Sequence, residues 1–136
     1  MSTSTKTILV VDDEKTQRDL MHHILRPLYA VLEASDFADA LAVQETHLGE
    51  IDLLLIDVRL PGGNGYDLSG ALLAIEPHLR TLFVSGQTGA EAHYKFLDIP
   101  VTGVHFLQKP FHPAELLGRL RFLLSLADPY SGTASA

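Results

Sequence analysis

The sequence of 136 residues contains no cysteine. Disulfides, thiolate zinc sites and cysteine nucleophiles are therefore excluded, and a reducing compartment is compatible with the chain. It also lacks any run rich in lysine and arginine: 10 basic residues stand against 17 acidic ones, a formal net charge of -7. No segment could neutralise a row of phosphates, so direct nucleic-acid binding is not expected. No stretch approaches the roughly 18 apolar residues of a membrane span, and the opening "MSTSTK" leads into an apolar run too short for a signal peptide. The expectation is a cytoplasmic protein with no membrane partner. Internal repeats are missing too, and the length suits a single domain with one core. Histidine is plentiful, but His22, His23, His47, His78, His93, His105 and His112 show no i, i+4 ligand pair, so a histidine metal site is not expected.

Alternation is what the sequence does have. Ile8 to Val11 is a continuous apolar run, as a parallel strand covered on both faces requires, and Leu20, Met21, Ile24 and Leu25 then recur at helical spacing before Pro27. "YAVLEAS" and "DFADALAVQETH" repeat the pattern, with Ser35 placed to cap the second helix. "IDLLLIDV" is the most apolar strand; the loop "RLPGGNG" and a helix from Tyr66 to Ile75 follow it. "TLFVSG" reads as a fourth strand, Ala90 to Leu97 as a less regular helix, and "GVHFLQ" as a fifth strand. Pro113 opens a last helix with Leu116, Leu117, Leu120, Leu123 and Leu124 on one stripe. Five strands alternating with five helices imply a doubly wound parallel sheet, whose ligands bind beyond the carboxyl ends of the strands.

The residues just after the strands are Asp12, Asp13 and Glu14, then Asp57, Ser85 and Lys109. Each has a plain explanation alone: Asp12 or Asp13 as a helix cap, Asp57 as a turn residue before Pro61, Ser85 as loop chemistry beside Gly86, Lys109 as a surface lysine. Capping does not explain why all of them fall at successive strand ends. Adjacent carboxylates about 4 Å apart at an effective dielectric near 20 repel by roughly 4 kcal/mol per pair before solvent relief. Such a cluster suits a hard divalent cation, for which Mg2+ typically takes one or two carboxylates, waters and a phosphate oxygen. A metal, an ammonium and a hydroxyl around one further carboxylate are what a phosphoryl group needs, and that carboxylate is then free to act as the nucleophile.

"ILVVDDE", "LLLIDVRLPGGNGYDL", "LFVSGQ" and "FLQKPF" resemble, in order and spacing, the receiver domains of bacterial two-component response regulators. The resemblance covers residues 6–127, leaving residues 1–5 as a disordered N-terminus and 128–136 as a flexible tail or linker stump. It implies a flavodoxin-like (βα)5 fold, α/β, with five parallel strands in the order 2-1-3-4-5. It further implies Asp57 as phosphoacceptor and Asp12 and Asp13 as the pair that holds Mg2+, with Asp13 touching the metal directly and the backbone carbonyl of Arg59 as a third ligand. Lys109 would contact the phosphoryl group across a cis bond to Pro110, Ser85 would be the hydroxyl switch, and Phe106 the aromatic switch that turns inward. The implied partners are a histidine kinase or histidine phosphotransfer domain and a protein target on the surface of the fourth helix, fifth strand and fifth helix. The implied role is that of a signalling phosphoacceptor, not an enzyme, although self-catalysed phosphotransfer and autodephosphorylation would accompany it.

Several positions depart from the pattern. Ser85 stands where threonine is also common, Phe106 lacks the hydroxyl of the frequent tyrosine, and "PGGNG" replaces "PGMDG". The span from Ser85 to Lys109 is slightly long, and "DIPVTGVHFLQKPF" is similar to receivers associated with hybrid histidine kinases. Arg59 and Gln87 lie where family members tune acyl-phosphate lifetime. Two alternatives compete with the switch. An aspartate-nucleophile phosphohydrolase of the haloacid-dehalogenase kind needs a second acid two residues after the nucleophile, where this chain has Arg59. A phosphorylation-independent adaptor would not need the complete set of acids, hydroxyl and lysine.

Overall fold

The computed structural model describes residues 5–86 and 105–126. In chain order the elements are β1 (Thr7–Val11), α1 (Lys15–Leu25), β2 (Ala30–Ala34), α2 (Phe37–Thr46), β3 (Leu53–Asp57), β4 (Arg59–Leu60), β5 (Gly63–Asn64), α3 (Gly65–Ile75), β6 (Arg80–Ser85), β7 (Phe106–Gln108) and α4 (Pro113–Ser125). Five strands form one parallel sheet in the order β2-β1-β3-β6-β7. Counting sheet strands only, this is the expected order 2-1-3-4-5. The expected helix from Ala90 to Leu97, Gln87, residues 1–4 of the expected disordered N-terminus (1–5) and the expected tail at 128–136 lie outside the described residues.

The central strands are apolar along most of their length because each of their faces meets a different core. Leu9 and Val11 of β1, Leu54 and Ile56 of β3 and Phe83 of β6 point to one side, where Ala40 of α2 and Leu68 and Leu72 of α3 cover them. Ile8, Val10, Leu53, Leu55, Leu82 and Val84 point to the other, against Met21 and Leu25 of α1 and Leu116, Leu120 and Leu123 of α4. The period-two alternation of strand side chains makes the two sets non-overlapping. A fully buried Leu or Ile in either layer contributes roughly 1.5–3 kcal/mol of transfer free energy.

Three local expectations need correction. Leu20 is not on the buried face of α1 but 47% exposed, since the packed face of this helix is formed by Met21 and Leu25 with Ile24 partly buried. Ser35 is not the cap of α2; Asp36 is, its Oδ1 accepting the Asp39 N–H at 2.7 Å, while the Ser35 N–H donates to Asp39 Oδ2. A carboxylate at this position satisfies a free helix donor and meets the positive end of the helix dipole. "RLPGGNG", read as a loop, contains a short antiparallel pairing of Arg59 with Asn64 and Leu60 with Gly63, turning through Gly62 at φ 83°.

That hairpin brings α3 back onto the end of β3 so closely that only glycine fits at its first residue. A Cβ on Gly65 would lie 2.4 Å from the Asp57 carbonyl oxygen and 2.9 Å from Ile56 Cγ2. The Gly65 N–H meanwhile donates to the Val58 carbonyl at 2.7 Å. Gly65→Ala is therefore expected to destabilise the fold by roughly 1–3 kcal/mol through overpacking against backbone that cannot yield. Urea unfolding monitored by circular dichroism checks this, and an unchanged midpoint would contradict the close approach.

Candidate functional site

The strand order sets neighbouring strand ends side by side, and the polar residues that follow them meet there. Asp12 follows β1, Asp57 ends β3, Ser85 ends β6 and Lys109 follows β7. Asp12, Asp13 and Asp57 each offer a carboxylate oxygen within 4.8 Å of the others, and among the described residues this is the one cluster of three or more acids or histidines that could hold a metal. Asp12 is fully buried, Asp57 half-buried and Asp13 exposed.

Lys109 ties the buried part of the cluster together. Its Nζ donates to Asp57 Oδ2 at 3.0 Å and to Asp12 Oδ2 at 3.1 Å. The lysine backbone is fixed as well, its N–H donating to the Ser85 carbonyl at 2.8 Å, and the Lys109–Pro110 bond is cis, as expected. The remaining oxygens are used locally: Asp12 Oδ1 accepts the Glu14 N–H and Asp57 Oδ1 accepts the Arg59 N–H, both at 2.9 Å. Burial pushes the Asp12 carboxyl above the ordinary carboxylate range and the Asp57 charge adds to this, against the opposing Glu14 N–H and Lys109 charge. Burial alone would lower the Lys109 pKa, but the hydrogen bond to Asp57 and the charges of Asp12 and Asp57 outweigh it, and the ammonium is held above its ordinary value.

Ser85 is buried at the same rim, paired in register with Gln108 while Asp57 pairs with Val84. Phe106 is 5% exposed, its ring 5.3 Å from that of Phe83 in a stacked arrangement and 6.3 Å from Tyr66. Phe106, expected from the sequence as an aromatic switch, packs inward in this structure. A phenyl ring has no hydroxyl to keep hydrated, so burial against Phe83 and Tyr66 is its favourable placement.

Asp12, Asp13, Asp57, Ser85 and Lys109, expected on one rim, lie at neighbouring strand ends in the structure, and three further residues there were not expected. Gly65 was legible as one glycine of "PGGNG", but its steric role depends on the approach of α3 to β3. Tyr66, whose ring meets Phe83 edge-on at 5.0 Å, passed as an ordinary helix residue. Arg18 gave no signal, because its contacts cross from α1 to the end of β1 and to β2. Among the described histidines, His112 caps α4, His22 meets Glu33 and His47 meets Glu50.

The family described as "Response regulator receiver domain" matches residues 8–121. The uncharacterized transcriptional regulatory protein YbdJ of Bacillus subtilis (strain 168) is 35% identical over 118 residues, covering 86% of this chain and 50% of that protein. The chain spans about half or less of the length of the curated relatives it matches. Among solved structures, the non-phosphorylated HemR receiver domain from Leptospira biflexa has a TM-score of 0.76 at 31% identity, covering 93% of this chain and 99% of that one. The receiver domain of the hybrid histidine kinase CckA has a TM-score of 0.70 at 35% identity, covering 87% and 98%. The likeness to receivers of hybrid kinases noted in the sequence has its counterpart there.

The raised Asp12 pKa carries a stability consequence. The folded state prefers the protonated acid; this preference is fully present below the unfolded value near 3.8 and is lost as pH rises through the higher folded value. Ionised Asp12 therefore costs stability at neutral pH. Asp12→Asn, neutral at every pH, is expected to raise Tm by a few degrees at pH 7 in EDTA, with the gain shrinking toward pH 3. Thermal unfolding at both pH values checks the sign, and a lower Tm for the variant at pH 7 would contradict it.

Proposed function

The chain belongs to the response regulator receiver domain family, and on that premise we propose that Asp57 takes a phosphoryl group from a phosphohistidine of a partner kinase or phosphotransfer domain. Members of this family are signalling phosphoacceptors of two-component systems and not conventional enzymes. The observation that carries the proposal is the convergence of Asp12, Asp13 and Asp57 within 4.8 Å, with Lys109 bridging Asp12 and Asp57.

In the proposed step a carboxylate oxygen of Asp57 attacks phosphorus. An O–P bond forms as the N–P bond to the donor imidazole breaks, and the electron pair leaves on the imidazole nitrogen, which is protonated from solvent. Charge that rested on the Asp57 carboxylate then rests on the phosphoryl oxygens. Lys109, already bonded to Asp57, can follow it with little reorganisation, which is the preorganisation that electrostatic catalysis needs. The donor set is all oxygen and acidic, and it fits a hard cation; Asp12, Asp13, Asp57 and the Arg59 carbonyl are the proposed ligands of Mg2+. When bound, Mg2+ would offset negative charge on the carboxylates and the phosphoryl group.

Ser85 is proposed to donate its hydroxyl to a phosphoryl oxygen and so couple the rim to Phe106 one strand away. Phosphorylation would then bias a two-state equilibrium read by a protein partner on the side of β7 and α4. The fourth helix assigned to that surface in the sequence lies outside the described residues. The setting this role calls for is the cytoplasm; no helix among the described residues is long and apolar enough to cross a membrane.

Incubation with acetyl phosphate, read by intact mass, tests the proposal. Wild-type protein is expected to gain one phosphoryl group with Mg2+ and none in EDTA, and Asp57→Asn none in either. An adduct on Asp57→Asn, or none on wild type from either acetyl phosphate or a phosphorylated histidine domain, would overturn it.

A further inference from the structure

The turn that carries Asp12 and Asp13 is gripped from outside the cluster. Its inner end is held by β2, with the Asp12 N–H donating to the Ala34 carbonyl at 3.2 Å. Its carbonyl side lies before the helix, because the N-cap of α1 is Glu14, and it is Glu14 whose carbonyl accepts the Gln17 and Arg18 N–H groups. The donor to the Asp12 carbonyl is the Arg18 guanidinium, through Nη1 at 2.8 Å. Arg18 therefore holds the turn twice, by its backbone at Glu14 and by its side chain at Asp12. Asp13 lies between those two points.

The guanidinium is itself held. Its Nε lies 3.4 Å from Glu33 Oε1, and Glu33 Oε2 lies 2.6 Å from Nδ1 of His22, one helical turn after Arg18 on α1. Glu33 belongs to β2, in register with Val10, so the brace is anchored in the sheet. Arg18 is only 17% exposed, unlike a surface ion pair such as Lys15 with Asp19 at 76% and 57%. A planar guanidinium that hydrogen-bonds a carbonyl while ion-paired with a carboxylate fixes geometry in a way a point charge does not.

We propose that Arg18 is a positioning residue for the cation site: its hold on the Asp12 carbonyl, braced by Glu33 and His22, sets where the Asp12 and Asp13 carboxylates stand. This rests on the reading of those acids as cation ligands. Positioning and simple charge predict opposite signs. As a bare cation near the site, Arg18 would repel Mg2+, and its removal would tighten binding. As a positioner, its removal weakens binding, because groups that orient ligands typically change metal affinity by about 10–100-fold.

The test is a titration of 15N-labelled protein with MgCl2 at constant ionic strength, following backbone amides of Asp13 and Val58, on wild type, Arg18→Met and Arg18→Lys. Thermal unfolding in EDTA verifies that each variant folds. The expected result is a Kd about tenfold weaker for Arg18→Met and a smaller weakening for Arg18→Lys, which keeps the charge but loses the fork. Tighter binding by Arg18→Met with Arg18→Lys unchanged, or wild-type affinity in both, overturns the positioning role. Should Arg18→Met not fold, Arg18→Lys decides: weaker binding supports positioning and wild-type affinity overturns it. If wild-type amides show no saturable response to Mg2+, the cation reading beneath the proposal fails instead.

Discussion

The ammonium of Lys109 lies 3.0 Å from Asp57 and 3.1 Å from Asp12, and the rim is organised around that pairing. Three carboxylates against one ammonium leave a formal excess of two negative charges in a cluster whose Asp12 is fully buried and whose Asp13 is exposed. Burial of Asp12 raises the cost of its charge, while the same burial strengthens the attraction that keeps Lys109 protonated. The cluster is therefore compensated in part, and the residual charge is of the sign and hardness that a divalent cation would offset. A packed hydrophobic layer on each face of the sheet makes the strand ends rigid enough to sustain this arrangement.

Much of that was legible in the amino acids. Continuous apolar runs such as Ile8 to Val11 and Leu53 to Ile56 announce strands covered on both sides, and the polar residue after each run falls on one rim in any doubly wound sheet. Asp12, Asp57, Ser85 and Lys109 could be found in this way because topology alone brings them together. Leu20 and Ser35 were misread for the opposite reason. Which face of α1 packs, and which of two adjacent polar residues caps α2, depend on helix phase within a residue or two, which periodicity in a short helix does not resolve.

Contacts that cross between elements left less trace still. Nothing in "DDEKTQR" marks Arg18 as the donor to the Asp12 carbonyl, since its partner Glu33 arrives from β2, and nothing marks Gly65 until α3 is seen pressed against the Asp57 carbonyl. Both residues act on backbone of the acid-bearing turns and not on the carboxylates themselves. The three packed aromatic rings depend on contacts between elements in the same way. Phe106 was recognisable by position, but its inward packing follows from Phe83 beneath it and Tyr66 beside it, a cluster that also joins the start of α3 to the sheet.

The central claim is that the acids at the rim are held together for a divalent cation. The most direct measurement is Tm of the unmodified protein against MgCl2 concentration, with KCl matched for ionic strength. Binding to the folded state alone stabilises in proportion to the logarithm of ligand concentration above Kd, whereas screening depends on ionic strength and not on ion identity. Tm should climb with Mg2+ well beyond the KCl series. Coincident curves for the two salts would contradict the claim.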